Sequence, residues 1–186
     1  MTEQQALDPA AILEESSLVA SQEAVETAVT RLAKEINTFY GDQPIILLAV
    51  MTGAIIPAAW LAPRLKMPLR MDFIHATRYA GRTQGGELDF RVPPRLNLAG
   101  QDILIVDDIY DVGLTLELIE RYCLSRGARS VNSAVLVRKA HGRETAGELP
   151  RFIGLDVPDQ YVFGCGMDVY EHWRHLLEIR ALETEL

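Results

Sequence analysis

The sequence predicts an α/β fold, a single domain with a mostly parallel central sheet flanked by helices. One observation is a repeated order of strand, helix and strand along the chain. A second is the apolar run Ile45–Met51, which lacks alternation because a parallel strand is buried on both faces. A third is size, since 186 residues with 48% hydrophobic content can form one sizeable core. In such folds, ligands bind beyond the carboxyl ends of the strands.

The elements follow in order from apolar spacing and turn residues. Apolar residues at helical spacing, with Ser21 as N-cap, predict a helix from Ser21 to Phe39. After the strand Ile45–Met51, the remaining predicted elements are a helix at Ala54–Leu65, strands at Leu69–His75, Ile103–Val106 and Val131–Val137, a helix at about Leu114–Arg126, and a loop at Ala80–Asn97. Residues 1–18 are expected to be an N-terminal extension. The long loop is expected to be a flexible lid, since loops of this length are usually functional.

Composition excludes several classes of protein. The formal net charge of −8 and a pI near 5.0 disfavour binding to nucleic acid. The N-terminus has no basic segment before an apolar stretch, and no apolar run approaches the ~20 residues that span a bilayer, so neither secretion nor a membrane partner is expected. Cys123 and Cys165 have no metal-ligand spacing with the four histidines. We expect both to be reduced thiols in a cytoplasmic protein.

The segment Ile103–Leu116, ILIVDDIYDVGLTL, carries the strongest functional signal. Its strand delivers Asp107, Asp108 and Asp111 to the start of a helix that also has Gly113 and Thr115. Exposed N–H groups at a helix start suit a phosphate, whereas carboxylates suit sugar hydroxyls, a metal ion or a proton. One aspartate after a strand usually only caps the next helix, but three like charges are costly unless they are solvated or occupied. The spacing predicts a site and leaves its ligand open.

Three segments together resemble a known family. DDIYDVGLT resembles the phosphoribosyl pyrophosphate loop of type I phosphoribosyltransferases, and the hypoxanthine-guanine branch fits best. Arg138-Lys139 ends the next strand, and PDQYVFGCGMDVYEHWRHL is similar to that branch's purine and pyrophosphate segment. The similarity runs from about Val19 to Leu176.

This resemblance implies a purine-salvage enzyme. The enzyme would transfer the 5-phosphoribosyl group from phosphoribosyl pyrophosphate to hypoxanthine or guanine, giving IMP or GMP and pyrophosphate. It implies Mg²⁺ as cofactor, a 6-oxopurine base as partner, a small hood beside the main sheet, and a homodimer or homotetramer.

The resemblance also implies roles for individual residues. Asp111 would be the catalytic residue that handles the purine N7 proton, and Lys139 would donate to the purine O6. Asp107 and Asp108 would contact the ribose hydroxyls, directly or through Mg²⁺. The other implied contacts are the Thr115 hydroxyl and the backbone of Asp111, Val112, Gly113 and Leu114 to the 5′-phosphate, Tyr161 stacked on the base, Val162 at the base edge, Asp168 at a second Mg²⁺, and Arg174 at pyrophosphate.

Two segments depart from the family pattern. Val50–Gly53 occupies the place of the pyrophosphate loop, where Thr52 replaces the usual basic residue. We expect the backbone of Thr52 and Gly53 to bind pyrophosphate. Tyr79 matches the tyrosine of the family's Ser-Tyr lid motif, whereas Arg78 departs from its serine and is a candidate for the missing cation.

In the phosphate loop, Val112 replaces a common hydroxyl residue and Leu114 a polar one, which leaves fewer side-chain donors. Other functions stay open at this point. They are a regulatory protein that senses phosphoribosyl pyrophosphate, a transferase for xanthine, uracil or adenine, and a P-loop or response-regulator protein. The acidic charge disfavours the first, Lys139 favours 6-oxopurines, and the absence of GxxxxGK[ST] disfavours the last.

Overall fold

The computed structural model describes residues 8–78 and 88–183. Its helices are α1 (Pro9–Glu14), α2 (Gln22–Tyr40), α3 (Ile55–Leu61), continued by a 3₁₀ turn at Ala62–Arg64, and α4 (Leu114–Ser125). Its strands are β1 (Ser16–Ala20), β2 (Ile45–Val50), β3 (Leu69–Arg78), β4 (Leu88–Val92), β5 (Asp102–Tyr110), β6 (Ser130–Ala140), β7 (Phe152–Pro158), β8 (Val162–Phe163) and β9 (Ile179–Leu182). No helix in these ranges is long and apolar enough to cross a membrane.

Six strands form the main sheet in the order β4-β3-β2-β5-β6-β7. β3, β2, β5, β6 and β7 run parallel, and β4 pairs antiparallel at one edge. The chain leaves β2 towards β3 and later returns to β5 on the other side of β2. This reversal is the topological switch point at which doubly wound sheets bind ligands. The fold class predicted from the sequence is confirmed.

The core explains why these segments form strands and helices. Every residue of β2 is buried, as expected of a parallel strand covered on both faces. α2 begins after Ser21, whose Oγ accepts from the N–H of Ala24 at 3.3 Å, and it packs its apolar face against β7. β5 is buried from Asp102 to Val106, is partly exposed at residues 107–109 and is buried again at Tyr110.

A second, smaller sheet consists of β1, β9 and β8 in antiparallel order. It joins the region around residues 16–20 to the C-terminal segment, with Ser16 opposite Leu182. This sheet corresponds to the small hood that was expected. The predicted N-terminal extension is structured from Pro9 onward, because β1 completes this sheet.

Several sequence-based boundaries need correction. The strand predicted at Ile103–Val106 continues to Tyr110, so Asp107 and Asp108 lie in β5 rather than in the following turn. The loop predicted at Ala80–Asn97 is wrong for Leu88–Val92, which pairs with β3 as β4. Residues 80–87 of that loop, and Tyr79 before it, lie outside the described residues.

At the opposite end of the sheet, a buried carboxylate ties three segments together. Asp102 accepts hydrogen bonds from Gln43, from Ser130 Oγ at 2.7 Å and from Arg129, whose Nε lies at 2.9 Å. The Arg129 hydrogen bond is the main cause that lowers the pKa of Asp102 to about 2. This network joins the starts of β5 and β6 and lies far from the cleft described next.

Candidate active site

A cleft of about 400 Å³ opens at the carboxyl ends of β2 and β5. The residues after β2, the end of β5 and the first turn of α4 converge there because the switch point leaves this edge of the sheet uncovered. The lining residues are Val50, Met51, Gly53, Ala76 and the continuous stretch 107–116.

Asp107 and Asp108 are adjacent carboxylates at the end of β5. The Asp107 Oδ1 accepts from the N–H of Asp108 at 2.9 Å, and the Asp108 Oδ1 accepts from the N–H of Ile109 at 2.7 Å. Burial, followed by the charge of Asp108, raises the pKa of Asp107 well above its usual range. Burial also raises the pKa of Asp108, although Asp107 and the positive charge of Arg174 oppose the rise. Two carboxylates in this position favour a shared proton or a bound cation.

Glycines allow the loop after β2 to pack against this carboxylate pair. A Cβ on Gly53 would collide with the carboxylate of Asp108, and a Cβ on Gly166 would collide with the carbonyl oxygen of Gly53. The Met51–Thr52 peptide bond is cis, and the Thr52 side chain is exposed. The loop backbone therefore lies directly beside Asp108, with no side chain between them.

The first turn of α4 is open towards the cleft. Gly113 precedes the helix with φ +80°, and a Cβ there would collide with the ring of Tyr110, so a side chain would be both strained and obstructed. Among the described residues, no side chain caps this helix. The N–H groups of Leu114 and Thr115 at the start of a twelve-residue helix are suited to an anion.

Asp111 lies at the centre of a cluster of basic side chains. Its Oδ1 is 2.9 Å from Arg143 Nη2 and 3.1 Å from His141 Nε2, whereas its Oδ2 faces Lys139 Nζ at 3.9 Å. Arg143 also contacts Asp159 Oδ1 at 2.5 Å. Asp111 and its three basic neighbours line a second cavity of about 580 Å³, which adjoins the first because Tyr110 and Asp111 line both.

The C-terminal segment adds aromatic and charged groups. The ring of Tyr161 is 45% exposed and lies parallel to Tyr170, with centroids 6.4 Å apart. Arg174 bonds Asp168 Oδ1 through Nη2 at 2.6 Å and the carbonyl of Gly166 through Nη1 at 2.7 Å. An exposed aromatic pair of this kind offers a stacking surface, which a core tyrosine would not.

Asp168 already has partners on both oxygens. Its Oδ1 faces Arg174 and its Oδ2 accepts from the N–H of Glu171 at 2.8 Å. Within residues 8–78 and 88–183, no three or more His, Cys, Asp or Glu side chains are arranged to hold a metal ion. A metal here would thus depend on one or two carboxylates and on groups of the ligand, which is the usual pattern for Mg²⁺.

The structure brings together most of the residues singled out by sequence. Asp107, Asp108, Asp111 and the loop from Val112 to Thr115 line the cleft, and Lys139 adjoins it through Asp111. Val162 is buried in β8, and Thr52 is not among the residues that line the cleft. The backbone of Arg78 ends β3.

Sequence reasoning missed two residues of the Asp111 cluster, His141 and Arg143. They follow Lys139 by two and four positions, in a segment without apolar periodicity. The available signal was the alternation of basic residues at positions 139, 141 and 143, at the end of a predicted strand. Their contact with Asp111 depends on how the β6–β7 connection folds back, which the spacing does not determine.

Together, the fold and the cleft define a doubly wound α/β protein with a candidate site suited to an anion and a cation. The start of α4 is suited to an anion, and the pair Asp107 and Asp108 is suited to a cation or to hydroxyl groups. Asp111, surrounded by basic side chains, lies beside them at the carboxyl ends of the parallel strands.

Comparisons with known proteins name the family. A family profile described as the phosphoribosyl transferase domain matches residues 17–172. The chain is 33% identical over 164 residues to the hypoxanthine-guanine phosphoribosyltransferase of Bacillus subtilis, which covers 88% of this chain and 91% of that relative. It is 30% identical over 178 residues to the enzyme of the same name from Mycobacterium avium, covering 91% of this chain and 87% of that relative. The chain therefore belongs to the phosphoribosyltransferase family.

A solved structure agrees with this assignment. The crystal structure of a hypoxanthine-guanine phosphoribosyltransferase from Bacillus anthracis, with a HEPES molecule in its active site, has a TM-score of 0.83 at 26% identity. The match covers 89% of this chain and 97% of that chain. The resemblance stated from sequence is confirmed.

Proposed function

We propose that this protein is a 6-oxopurine phosphoribosyltransferase that acts on hypoxanthine and guanine. It transfers the 5-phosphoribosyl group from phosphoribosyl pyrophosphate to the base, forming IMP or GMP and releasing pyrophosphate. The observation that carries the proposal is the pairing of Asp111 Oδ2 with Lys139 Nζ, which lie 3.9 Å apart where the loop at residues 111–115 begins. Relatives of the same name along most of the chain support it.

The phosphorylated sugar would bind along the cleft. The N–H groups at the start of α4, with the Thr115 hydroxyl, would hold the 5′-phosphate, where the helix dipole favours negative charge. Val112 and Leu114 contribute backbone contacts only. Asp107 and Asp108 would accept from the ribose hydroxyls, directly or through the metal.

The carboxylate pair Asp107 and Asp108 is suited to hold Mg²⁺. Burial raises the pKa values of Asp107 and Asp108, and the positive charge of a divalent cation would favour their ionised forms. Mg²⁺ would be held by these carboxylates together with the substrate, with Asp168 near a second ion. When bound, the metal supplies positive charge that stabilises the leaving pyrophosphate.

Groups of the protein itself would also bind pyrophosphate. The loop at Thr52 and Gly53 offers its backbone beside Asp108, and Arg174 lies close enough to influence the Asp108 carboxylate. Arg174 would add positive charge near the leaving group, and positive charge developing on the ribose tolerates Asp107 and Asp108 nearby.

The base would bind between the Asp111 cluster and the exposed ring of Tyr161. In a 6-oxopurine, the acceptor O6 and the N7 proton lie next to each other on one edge, so a lysine donor beside a carboxylate acceptor matches both. Lys139 would donate to O6 and Asp111 would take the N7 proton as N9 attacks the ribose C1. Tyr161 would stack on the ring, and the Val162 backbone would meet the base edge.

The test is an incubation of the protein with phosphoribosyl pyrophosphate and Mg²⁺ and, separately, hypoxanthine, guanine, xanthine, adenine or uracil. Nucleotide and pyrophosphate are both measured. We expect IMP and GMP in equal amount to the pyrophosphate released. The absence of product with every base would overturn the enzymatic function and favour a sensor of phosphoribosyl pyrophosphate. Product with adenine or uracil alone would overturn the assignment of the base.

A further inference from the structure

His141 lies on the connection between β6 and β7, directly after the last residue of β6. Its side chain is only 4% exposed, although histidine at a connection usually remains near water. A polar ring buried at this position requires hydrogen-bond partners, and the described residues supply them on both nitrogens.

The partners of His141 determine its tautomer. The backbone N–H of Arg143 donates to Nδ1 at 3.2 Å, so Nδ1 must be the unprotonated nitrogen. Nε2 lies 3.1 Å from Oδ1 and 3.2 Å from the backbone oxygen of Asp111, and both of these atoms are acceptors. Nε2 therefore carries the proton and donates it to the backbone oxygen of Asp111, with Oδ1 as a second acceptor at close range. The imidazole is fixed at one end by its own loop and at the other end by Asp111.

This arrangement distinguishes the two oxygens of the Asp111 carboxylate. Oδ1 contacts His141 and Arg143. Within the described part of the chain, the contact given for Oδ2 is with Lys139 alone. Rotation of the carboxylate would break the contacts to Oδ1, so Oδ2 stays directed at the side where Lys139 lies. We propose that His141 is a positioning residue that orients Asp111 so that Oδ2 meets the purine N7.

Arg143 contacts the same oxygen, but it is less well placed to fix the carboxylate. Its side chain is half exposed, and the Nη2 that contacts Asp111 also contacts Asp159. A solvated pair of this kind contributes little and is easily exchanged for water. The side chain of His141 is short and buried, and both of its nitrogens have partners. Folding has therefore already fixed its orientation, and little further entropy is lost when it holds Asp111.

The inference rests on the proposed function, and the variants His141→Gln and His141→Asn test it. The glutamine amide nitrogen reaches about as far as Nε2 and retains a donor to Asp111, whereas the asparagine amide reaches only as far as Nδ1. We expect His141→Asn to lower kcat by ~10–100-fold, the usual cost of losing a group that orients a reacting residue. His141→Gln should stay closer to wild type than to His141→Asn. Affinity for phosphoribosyl pyrophosphate should stay near the wild-type value in both variants.

A double-mutant cycle separates orientation of Asp111 from a general structural role. In the Asp111→Asn background, His141→Asn should cause no further loss of kcat, because the carboxylate that His141 orients is absent. An equal loss in both backgrounds, equal kcat for the Gln and Asn variants, or wild-type kcat in His141→Asn would each overturn the inference. Failure of the wild-type protein to form nucleotide would overturn the proposed function as well, so the two failures are distinguishable.

Discussion

The Nζ of Lys139 lies 3.9 Å from the Oδ2 of Asp111, and Asp111 follows the end of β5 while Lys139 lies near the end of the neighbouring strand β6. A donor and an acceptor from adjacent parallel strands thus lie side by side at the mouth of the cleft. Lys139 is largely buried, which strengthens its interaction with a ligand relative to a solvated lysine. This pair is the structural basis of the proposed preference for 6-oxopurines.

Replacement of Asp111 by Asn should lower kcat by ~10²–10⁴, the range for loss of general acid–base catalysis. The amide keeps the size of the side chain but does not accept the N7 proton. Initial rates of IMP formation measure the effect. Binding of phosphoribosyl pyrophosphate, measured by calorimetry without base, should change little. Turnover equal to wild type would remove Asp111 from the proton transfer.

Asp107→Asn should stabilise the free protein while weakening substrate binding. The folded-state pKa of Asp107 is raised, so between the unfolded pKa of about 4 and the higher folded pKa the native state holds more protons than the unfolded state. Stability therefore falls as pH rises through that window. Removing the charge should therefore raise the unfolding midpoint at pH 7 in buffer with a chelator, and this gain should vanish as pH falls below about 4. A lower midpoint at pH 7 would contradict the prediction.

The same Asp107→Asn variant should bind Mg²⁺ with phosphoribosyl pyrophosphate more weakly, because one carboxylate of the pair is lost. The increase in the unfolding midpoint on adding both ligands measures this loss. Opposite changes in the free and the liganded protein would identify the pair as a site maintained at a cost in stability.

Asp102→Asn should have the reverse dependence on pH. The folded pKa of about 2 lies below the ordinary value of 3.8, so the carboxylate contributes stability above the unfolded pKa and loses it as pH falls through the folded pKa. We expect a loss of about 2 kcal/mol at pH 7 that shrinks between about pH 4 and pH 2. Denaturant unfolding at several pH values checks it, and a loss independent of pH would show that the charge of Asp102 is not the cause.

Gly53→Ala should displace the Asp108 carboxylate without removing any charged group of the site. The new Cβ would collide with Asp108, so the loop or the carboxylate must move, at a cost of about 1–3 kcal/mol in unfolding free energy. Gly142→Ala is the matched control for stability, because its Cβ meets nothing within 4 Å. If both variants unfold at the wild-type denaturant concentration, Gly53 is not required for close packing.

The sequence was sufficient for the fold class and for the aspartate-rich segment at the centre of the site. The unbroken apolar run of β2 and the DDIYDVGLT motif are local signals, since burial on both faces and a helix start each leave a pattern in consecutive residues. The segment that these signals singled out lines the cleft at the switch point between β2 and β5.

Features that depend on distant pairing were harder to predict. β4 was assigned to a loop because its strand character depends on pairing with β3, and β1 was assigned to an extension because its partner β9 lies at the other end of the chain. The contact of His141 with Asp111 likewise depends on a connection that folds back over the phosphate loop. In each case, the determining interaction joins residues that are far apart in sequence.

The most direct test of the account is the ratio of kcat/KM for hypoxanthine to kcat/KM for adenine, with phosphoribosyl pyrophosphate and Mg²⁺ saturating. Hypoxanthine presents O6 and an N7 proton to Lys139 and Asp111, whereas adenine presents an amino group to the lysine and leaves it unpaired. We predict a ratio of at least ~10², because a site built to hydrogen-bond one group strongly rejects an analogue that lacks it. A ratio near or below one, or no nucleotide from hypoxanthine, would contradict the account.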